Sequence, residues 1–367
     1  MAKLIYAASP DSADMFYATG FHAPDAFLFL EHKGRTTILL SDLEIDRGRR
    51  EARVDRVLSM SKLSGEVGGR PPLGIVAAYL LSREKVRRVE VPSDFPLGLA
   101  RVLEKAGLKV CPVEGHFWPE RETKSAAELA CIRRALQITR AGIQRAAGVL
   151  REAKIRPGGA LRWKGKALTS EIVRAEADAA VLRAGGIPGG TIIAGGRQAC
   201  DPHDRGSGPL RAHELIIIDI FPRDARSGYF GDLTRTVVKG RASEEQRRMW
   251  QTVVAAQRLA MRAIKPGVRG AGVHRAVQEF FVARGYPTAQ KRGRWTGFFH
   301  GTGHGLGLDL HEEPRIAATV FRLGQVFTVE PGLYYPGIGG ARHEDVVVVT
   351  KTGGRQLSRV PLPLELA

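Results

Sequence analysis

The sequence predicts an α+β protein with two domains, and three observations support this. The chain has 367 residues, its N-terminal part alternates short strand-like and helical segments, and the remainder alternates helix pairs with antiparallel hairpins. At roughly 100–200 residues per domain, this length fits two domains or one large one. Helix pairs alternating with antiparallel hairpins are typical of the α+β class.

Composition excludes several classes of protein. With 43% hydrophobic and 26% charged residues, the chain is close to globular averages, so it is not mainly disordered. The best apolar run, Leu73–Leu81, is far shorter than the ~18 residues of a membrane span. Residues Met1–Ala8 lack the apolar core of a secretory signal. No C-x-x-C pair occurs among the three cysteines, which favours a reducing cytoplasm over disulfides or a zinc ribbon.

The chain is strongly basic, with a net charge of +18. Such a charge permits binding to nucleic acid or to an anionic surface by neutralising phosphates. Solubility and weak nonspecific adhesion are the simpler explanation. The basic clusters Arg47–Arg53 and Lys291–Arg294 are short, and no nucleic-acid motif accompanies them. We therefore expect neither a nucleic-acid partner nor a membrane, and the charge itself stays unexplained.

The N-terminal part contains a predicted hairpin and predicted helices. Ala26–Leu30 and Thr36–Leu40 resemble strands, and they flank a turn at His32–Arg35. Leu73–Leu81 fits either a strand or the start of a helix, and Leu99–Ala106 fits a helix that a glycine ends. No cluster of metal-type ligands occurs in this part of the sequence. We therefore expect this domain to support a functional site located elsewhere in the chain, to mediate dimerisation or to form a wall of that site.

A domain boundary is predicted where a proline and a charged run interrupt the pattern. We assign residues 1–118 to an N-terminal domain, 119–124 to a linker and 125–367 to a C-terminal domain. Ser125 with Glu128 three residues later forms a capping box, which predicts the start of a long amphipathic helix.

The remaining elements repeat in a similar order, which indicates an internal duplication. Further helices are predicted at Thr169–Ala184, Ser243–Ile264 and Ala271–Arg284. Ser243 and Gln246 form a second capping box. Strands are predicted at Glu214–Phe221, Asp232–Val238, Val326–Val329 and Asp345–Thr350.

Acids inside apolar strands are the most informative feature of the sequence. Asp219 follows three isoleucines, and Asp232 comes thirteen positions later, on the strand that returns. If the two strands pair, both carboxylates can lie on one face. Burying ionised carboxylates costs several kcal/mol unless something compensates, and a divalent cation commonly does. For a single buried Asp, capping or a salt bridge is the simpler role, so the hypothesis depends on the other residues.

Three histidines, His300, His304 and His311, lie in a glycine-rich stretch. Glycines let the backbone approach a ligand closely. A nucleotide-binding loop is excluded, because Leu306 stands where that motif requires glycine and no helical pattern follows.

Two glutamates border strand cores in the same way as the aspartates. Glu330 lies where a strand meets a Pro-Gly turn, and Glu344 immediately precedes an aspartate and a run of valines. Four carboxylates and a histidine form a hard, oxygen-rich cage that suits Mn²⁺, with Co²⁺, Fe²⁺ or Zn²⁺ as alternatives. Two ions roughly 3.5–4 Å apart, sharing bridging carboxylates, would balance the charge of four acids.

These motifs resemble those of the pita-bread metallopeptidases, the superfamily of methionine aminopeptidases, Xaa-Pro aminopeptidases, prolidases and creatinases. The matching segments are Ile216–Asp219, Gly228–Thr236, His300–His311, Thr328–Tyr334 and Gly339–Asp345. The proline-specific branch fits best, and the resemblance covers nearly the whole chain. It implies a C-terminal pita-bread catalytic domain with a pseudo-twofold duplication, preceded by a smaller α/β creatinase-like domain.

The resemblance also implies roles for five metal ligands. Asp219 would chelate one metal, Asp232 and Glu344 would bridge both, and His304 and Glu330 would complete the second. A water or hydroxide between the metals would be the nucleophile. Glu330 resembles the general base that takes a proton and returns it.

Four further residues match other site positions of the family. His203 and His311 would hold the peptide carbonyl, His300 would line the pocket, and Arg342 would orient ligands.

The chain departs from the family in two respects: its aspartates are thirteen rather than eleven positions apart, and the segment Ala194–His203 matches the family pattern only loosely. The segment Arg223–Ser227 lengthens the hairpin turn between the two aspartates by two residues, and this makes Asp224 a false candidate for a ligand.

Proline specificity would need an apolar wall, for which the aromatic candidates are Tyr229, Phe298, Phe299 and Tyr334. Dipeptide specificity would need a cation for the free carboxylate, and Arg315 or Arg322 could supply it. Whether dipeptides or longer peptides are preferred stays open.

The function implied is that of a cytoplasmic, homodimeric Xaa-Pro aminopeptidase or Xaa-Pro dipeptidase that uses two divalent ions, with Mn²⁺ preferred. Its substrates would be small peptides with proline at the second position. The alternatives are another hydrolase on the same fold with a non-peptide substrate, or a non-catalytic basic binding module. The complete ligand set argues against the binding module.

Overall fold

A computed structural model describes residues 2–291, 293–357 and 359–367. The chain divides into two compact units, Met1–Pro119 and Glu120–Ala367. The expected linker 119–124 contains a short 3₁₀ helix, Pro119–Glu122. No helix among the described residues is long and apolar enough to cross a membrane.

The N-terminal unit is a mixed six-stranded sheet with helices on both faces. Its elements in chain order are β1 Ala2–Ala7, α1 Ala13–Thr19, β2 Phe27–His32, β3 Arg35–Leu40, α2 Ile45–Glu51, β4 Arg56–Ser59, α3 Met60–Val67, α4 Leu73–Arg83, β5 Arg88–Val91, α5 Leu97–Lys105 and β6 Lys109–Pro112. The strand order is β4-β3-β2-β1-β5-β6.

Alternation along the strands gives this sheet two apolar faces. Leu4 of β1 packs in one core cluster together with α4 and α5, whereas Ile5 packs in another with Met15 of α1. The predicted hairpin is confirmed, because β2 pairs antiparallel with β3. The segment at Leu73–Leu81, which fitted a strand or a helix, is helix α4.

The C-terminal unit contains two helix pairs, each followed by antiparallel strands. Its first half comprises α6 Ala126–Glu152, β7 Lys154–Ile155, β8 Leu161–Trp163, β9 Lys166–Ala167, α7 Ser170–Arg183, β10 Gly186–Ile187, β11 Ile192–Gly195, β12 Leu215–Ile220, β13 Arg223–Asp224 and β14 Leu233–Lys239. Its second half comprises α8 Glu244–Ala263, α9 Gly270–Ala283, β15 Ala289–Lys291, β16 Arg294–Thr296, β17 Val326–Val329, β18 Gly332–Tyr335, β19 Gly339–Arg342, β20 Asp345–Thr350, β21 Gly353–Gln356 and β22 Glu365–Leu366.

Both predicted capping boxes are present and fix the starts of the two long helices. Ser125 caps α6 reciprocally with Glu128, and Ser243 caps α8 with Gln246. Two of the sheets of this unit have the strand orders β11-β12-β14-β22 and β17-β20-β21. The core that lies between α8, α9 and the second sheet includes Phe281, Phe298 and Phe327. Repetition of helix pair and sheet agrees with the predicted duplication.

Candidate metal centre

Pairing of β12 with β14 brings two aspartates to one face of a sheet. Asp219 lies opposite Thr234 in the register, and Asp232 is two residues from Thr234. Since side chains alternate along a strand, Asp219 and Asp232 share a face. Both are buried. Gly231 allows this approach, because a Cβ there would lie 2.6 Å from the carbonyl oxygen of Ala135 on α6.

Pairing of β17 with β20 brings the two glutamates together. Val329 lies opposite Asp345, so Glu330 and Glu344 lie at the same end of this ladder. His304 is attached to β17, since the Thr328 amide donates to the His304 carbonyl at 2.8 Å and the Thr328 hydroxyl accepts from the His304 amide at 3.1 Å. The five candidate residues therefore come from five separate segments of the chain.

The distances between donor atoms fit a metal centre. One ligand atom each of Asp232, His304 and Glu344 lie within 4.8 Å of one another. His304 Nε2 is 3.7 Å from Asp232 Oδ2 and 3.4 Å from Glu330 Oε1. His304 Nδ1 lies 2.9 Å from the Gly305 carbonyl, which can only accept, so Nδ1 carries the proton. The Nε2 lone pair consequently faces the carboxylates.

Electrostatics show that these acids lack sufficient compensation from protein groups. Burial raises the pKa of Asp232 and of Glu344 well above their ordinary values, and the neighbouring carboxylates add to the effect. Burial also raises the pKa of Glu330. Asp219 Oδ1 is buried without a hydrogen-bond partner among the described residues. Oxygen-rich donors with an unused lone pair and a surplus of negative charge fit divalent cations.

Arg342 lies beneath the acids and connects three elements. Its guanidinium donates to Asp219 Oδ2 at 2.5 Å, to the Tyr334 hydroxyl at 3.0 Å and to the Pro202 carbonyl at 3.2 Å. His300 Nε2 lies 2.9 Å from the same hydroxyl, and its Nδ1 lies 2.8 Å from the Gly301 carbonyl. Because Nδ1 must donate to that carbonyl, the Tyr334 hydroxyl donates to Nε2 of His300. Both ring nitrogens of His300 are therefore occupied.

A cavity of about 710 Å³ opens over the acids. All nine predicted site residues line it, namely His203, Asp219, Asp232, His300, His304, His311, Glu330, Arg342 and Glu344. Burial lowers the pKa of His311 to about 4, so its ring is neutral at pH 7. His311 contacts His304 edge to face, with ring centroids 4.3 Å apart. His203 is exposed at the mouth.

The apolar wall of the cavity differs from the expectation. Phe299 lines it, together with Ile192, Phe221, Leu310 and Ala317. The other three aromatic candidates point elsewhere: Phe298 packs in the core, Tyr229 bonds to Glu128 at 2.9 Å, and Tyr334 is fully buried beneath Arg342. Phe298 and Phe299 are consecutive, and the structure places one in the core and the other in the cavity lining.

The structure distinguishes the two candidate arginines. Arg315 lines the cavity, whereas Arg322 forms an ion pair with Glu122. Asp224, expected to be a false candidate, is buried outside the cavity, where Arg134 Nε at 3.2 Å and the Ser227 hydroxyl at 2.6 Å donate to it.

The glycines of the 301–307 stretch serve mainly to pack protein against protein. A Cβ at Gly303 would lie 1.9 Å from the Thr328 carbonyl oxygen, and one at Gly305 would lie 2.6 Å from that of Glu312. The expectation that these glycines admit a ligand is therefore corrected for Gly305, which lies outside the cavity lining. Gly301 and Gly303 both line the cavity, and a Cβ at Gly301 would meet only the Gly303 amide nitrogen, at 3.9 Å.

Comparison with known proteins identifies the family. The model of metallopeptidase family M24 matches residues 130–351, more than half of the chain. The chain belongs to metallopeptidase family M24. This confirms the predicted resemblance to the pita-bread metallopeptidases.

Individual relatives of this M24 chain extend the match. A Xaa-Pro dipeptidase of Pyrococcus furiosus is 37% identical over 173 residues, 46% of this chain and 47% of that protein. The prolidase structure from Pyrococcus horikoshii has a TM-score of 0.81 and 26% identity, over 99% of this chain and 95% of that one. The X-Pro aminopeptidase structure from Thermotoga maritima has a TM-score of 0.82 and 23% identity, over 98% and 96%.

Two conclusions follow from the extent of these matches. The aligned sequence spans about half the length of the curated relatives. The structural matches include the N-terminal unit, so the predicted α/β domain and pita-bread catalytic domain are both confirmed.

Residues that hold the glutamates of this M24 site were missed in the sequence. The Thr234 hydroxyl donates to Glu344 Oε2 at 2.7 Å, and the Thr328 hydroxyl lies 3.4 Å from Glu330 Oε1. Each threonine stands two positions from an acid, Asp232 or Glu330, and so shares its face. This spacing is the signal that could have revealed them.

Proposed function

We propose that the protein is a metal-dependent exopeptidase that hydrolyses the bond between an N-terminal residue and proline. The observation that carries the proposal is one cavity wall formed by three buried carboxylates, the partly buried carboxylate of Glu330 and the Nε2 lone pair of His304. Membership of family M24 supports the metallopeptidase chemistry. Relatives named Xaa-Pro dipeptidase and X-Pro aminopeptidase support the proline preference.

Two divalent ions, with Mn²⁺ preferred, would be held by the five proposed ligands. Asp219 would bind one ion, Asp232 and Glu344 would be shared, and His304 and Glu330 would bind the other. When bound, such ions polarise a carbonyl and lower the pKa of water toward neutrality.

The other groups would bind the substrate and move protons. Glu330, whose carboxyl pKa is raised by burial, would take a proton from the attacking water and give it to the proline nitrogen that leaves. His311 and His203 would donate N–H groups to the scissile carbonyl oxygen. Arg342 and His300, linked through Tyr334, would keep Asp219 in position.

The decisive experiment is hydrolysis of Ala-Pro and Ala-Pro-Ala side by side, with Mn²⁺ or with a chelator. We expect cleavage after the first alanine that requires the metal. Cleavage that survives chelation would contradict the mechanism, and Mn²⁺ binding without hydrolysis of either peptide would indicate a non-peptide substrate. Analytical ultracentrifugation of the same sample tests the expected homodimer.

The position of Arg315 in the cavity lining predicts a preference for dipeptides, because its guanidinium can bind the free C-terminal carboxylate of a dipeptide. Arg315→Ala should raise KM for Ala-Pro about 10- to 100-fold, the equivalent of a charge-assisted hydrogen bond of roughly 1.5–3 kcal/mol. Hydrolysis of Ala-Pro-Ala should change little.

The matched control is Arg322→Ala, which removes a surface arginine outside the cavity lining. It should leave KM for both peptides unchanged. Equal losses for both peptides in Arg315→Ala would show that Arg315 does not recognise the carboxylate.

A further inference from the structure

A second cavity, of about 470 Å³, lies behind the candidate metal centre. Side chains of successive residues in extended backbone point to opposite faces. Glu344 accordingly lines the first cavity, whereas its neighbours His343 and Asp345 line the second. We call this second space the rear cavity and define it by Arg235, Trp250, Arg258, His343, Asp345 and Arg359.

The rear cavity contains one buried donor that is not used. Trp250 Nε1, which can only donate, is buried without a hydrogen-bond partner among the described residues. Arg258 and Arg359 also line this cavity; both are exposed, and neither forms a hydrogen bond or an ion pair with another residue in the described part of the chain. A buried donor without a partner is costly, so a ligand rich in acceptors would be stabilised here.

The acid in this lining is already neutralised. Arg235 donates to Asp345 Oδ1 at 2.7 Å, and Gln257 Nε2 donates to Asp345 Oδ2 at 3.2 Å. The two remaining arginines, Arg258 and Arg359, therefore give the rear cavity a surplus of positive charge. This combination of cations and N–H donors is the chemistry that recognises an oxyanion.

Two residues that line the rear cavity, Arg235 and Gln257, also donate hydrogen bonds to backbone carbonyls of the metal centre. Arg235 donates to the Glu344 carbonyl at 2.5 Å. Gln257 Nε2 lies 3.1 Å from the carbonyls of Val329 and His343, which directly precede Glu330 and Glu344. A ligand that contacts Arg235 or Gln257 would therefore influence the positions of Glu330 and Glu344 through a single layer of hydrogen bonds.

We propose that the rear cavity binds a small oxyanion, a phosphate or a carboxylate, and that its occupation changes the metal affinity of the neighbouring centre. Binding of the oxyanion does not depend on the proposed peptidase function. The effect on metal affinity rests on the proposed metal ligands.

Binding is tested by isothermal titration of the full-length, Mn²⁺-loaded protein with inorganic phosphate and, separately, with acetate. The variant Arg258→Ala/Arg359→Ala should bind the preferred anion at least tenfold more weakly. Phosphate bound at the metals themselves would remain in this variant, which separates the two sites. Tighter binding of phosphate than acetate indicates a phosphate ligand, and the reverse order indicates a carboxylate.

The matched control is Arg262→Ala, which removes an exposed arginine one turn further along α8 that does not line the rear cavity. It should bind the anion like the wild type. Identical isotherms for the wild type and the double variant, or equal weakening in the control, would overturn the proposed site.

Coupling is tested by measuring Mn²⁺ affinity against a chromophoric chelator, with and without the saturating anion. We expect the anion to change the Mn²⁺ affinity of the wild type at least threefold and to leave that of the double variant unchanged. The double variant also serves as the correction for Mn²⁺ that the anion binds in solution. Equal affinities in the wild type would overturn the coupling. If the protein binds the anion and shows the change in Mn²⁺ affinity but hydrolyses neither peptide, only the proposed peptidase function is contradicted.

Discussion

Asp232→Asn is expected to abolish metal-dependent hydrolysis and, without metal, to make the protein more stable than the wild type. Removing this proposed shared ligand should lower kcat/KM by at least about 1,000-fold, as for other residues that act as a unit in catalysis. The stabilisation has an electrostatic cause. Burial and the nearby Glu344 and Asp219 hold the pKa of Asp232 well above 3.8, so its ionised form is unfavourable.

The sign of the pH dependence follows from proton uptake. Because the pKa of Asp232 is raised in the folded state, the folded protein binds more protons than the unfolded chain above pH 3.8. Its free energy of unfolding therefore falls as pH rises from 3.8 toward the raised pKa. Asparagine does not titrate, so the advantage of metal-free Asp232→Asn grows over this window, to about 1 kcal/mol or more.

Urea denaturation at pH 5, 6, 7 and 8, with chelator or with Mn²⁺, checks this prediction. With Mn²⁺, the wild type should be more stable than Asp232→Asn, because a ligand that binds only the folded state stabilises it. Asp224→Asn is the control, since Asp224 is a buried acid of the same segment outside the cavity and bonds to Arg134 and Ser227. It should lose stability with or without metal. A metal-free Asp232→Asn less stable than the wild type would contradict the argument.

Arg342→Met is expected to be the most destabilising single substitution at this site. Arg342 is 3% exposed and donates to Asp219, Tyr334 and the Pro202 carbonyl. Methionine fills similar space but leaves Asp219 as an uncompensated buried charge, which typically costs about 3–5 kcal/mol. Metal affinity should also fall about 10- to 100-fold, because Asp219 is no longer held in position.

Denaturation with chelator and Mn²⁺ titration measure these two effects. Arg342→Lys should rescue little, since one ammonium cannot replace a planar guanidinium that bonds to several groups. Tyr334→Phe is the control. It removes one hydrogen bond to Arg342 and should cost only about 1 kcal/mol. Wild-type metal affinity in Arg342→Met would show that Arg342 contributes only to stability.

Helix boundaries and strand content could be predicted because local interactions encode them. The capping boxes at Ser125 and Ser243 involve residues three positions apart, and the structure contains both. The segment Leu73–Leu81 could not be assigned, because a short apolar run fits a strand and a buried helix equally. Packing of Val76, Leu80 and Leu81 against the sheet of the N-terminal unit accompanies its helical form.

Residue types and strand contexts thus determined the family and the candidate ligands of this protein. Only the tertiary structure decided that Phe299 and Arg315 reach the cavity while Phe298 and Arg322 do not. It also placed Trp250 and Arg258 behind Glu344. The physical reason is distance along the chain. Caps, turns and periodicity act over a few residues, whereas the direction of a side chain into a shared space depends on how segments a hundred residues apart pack together.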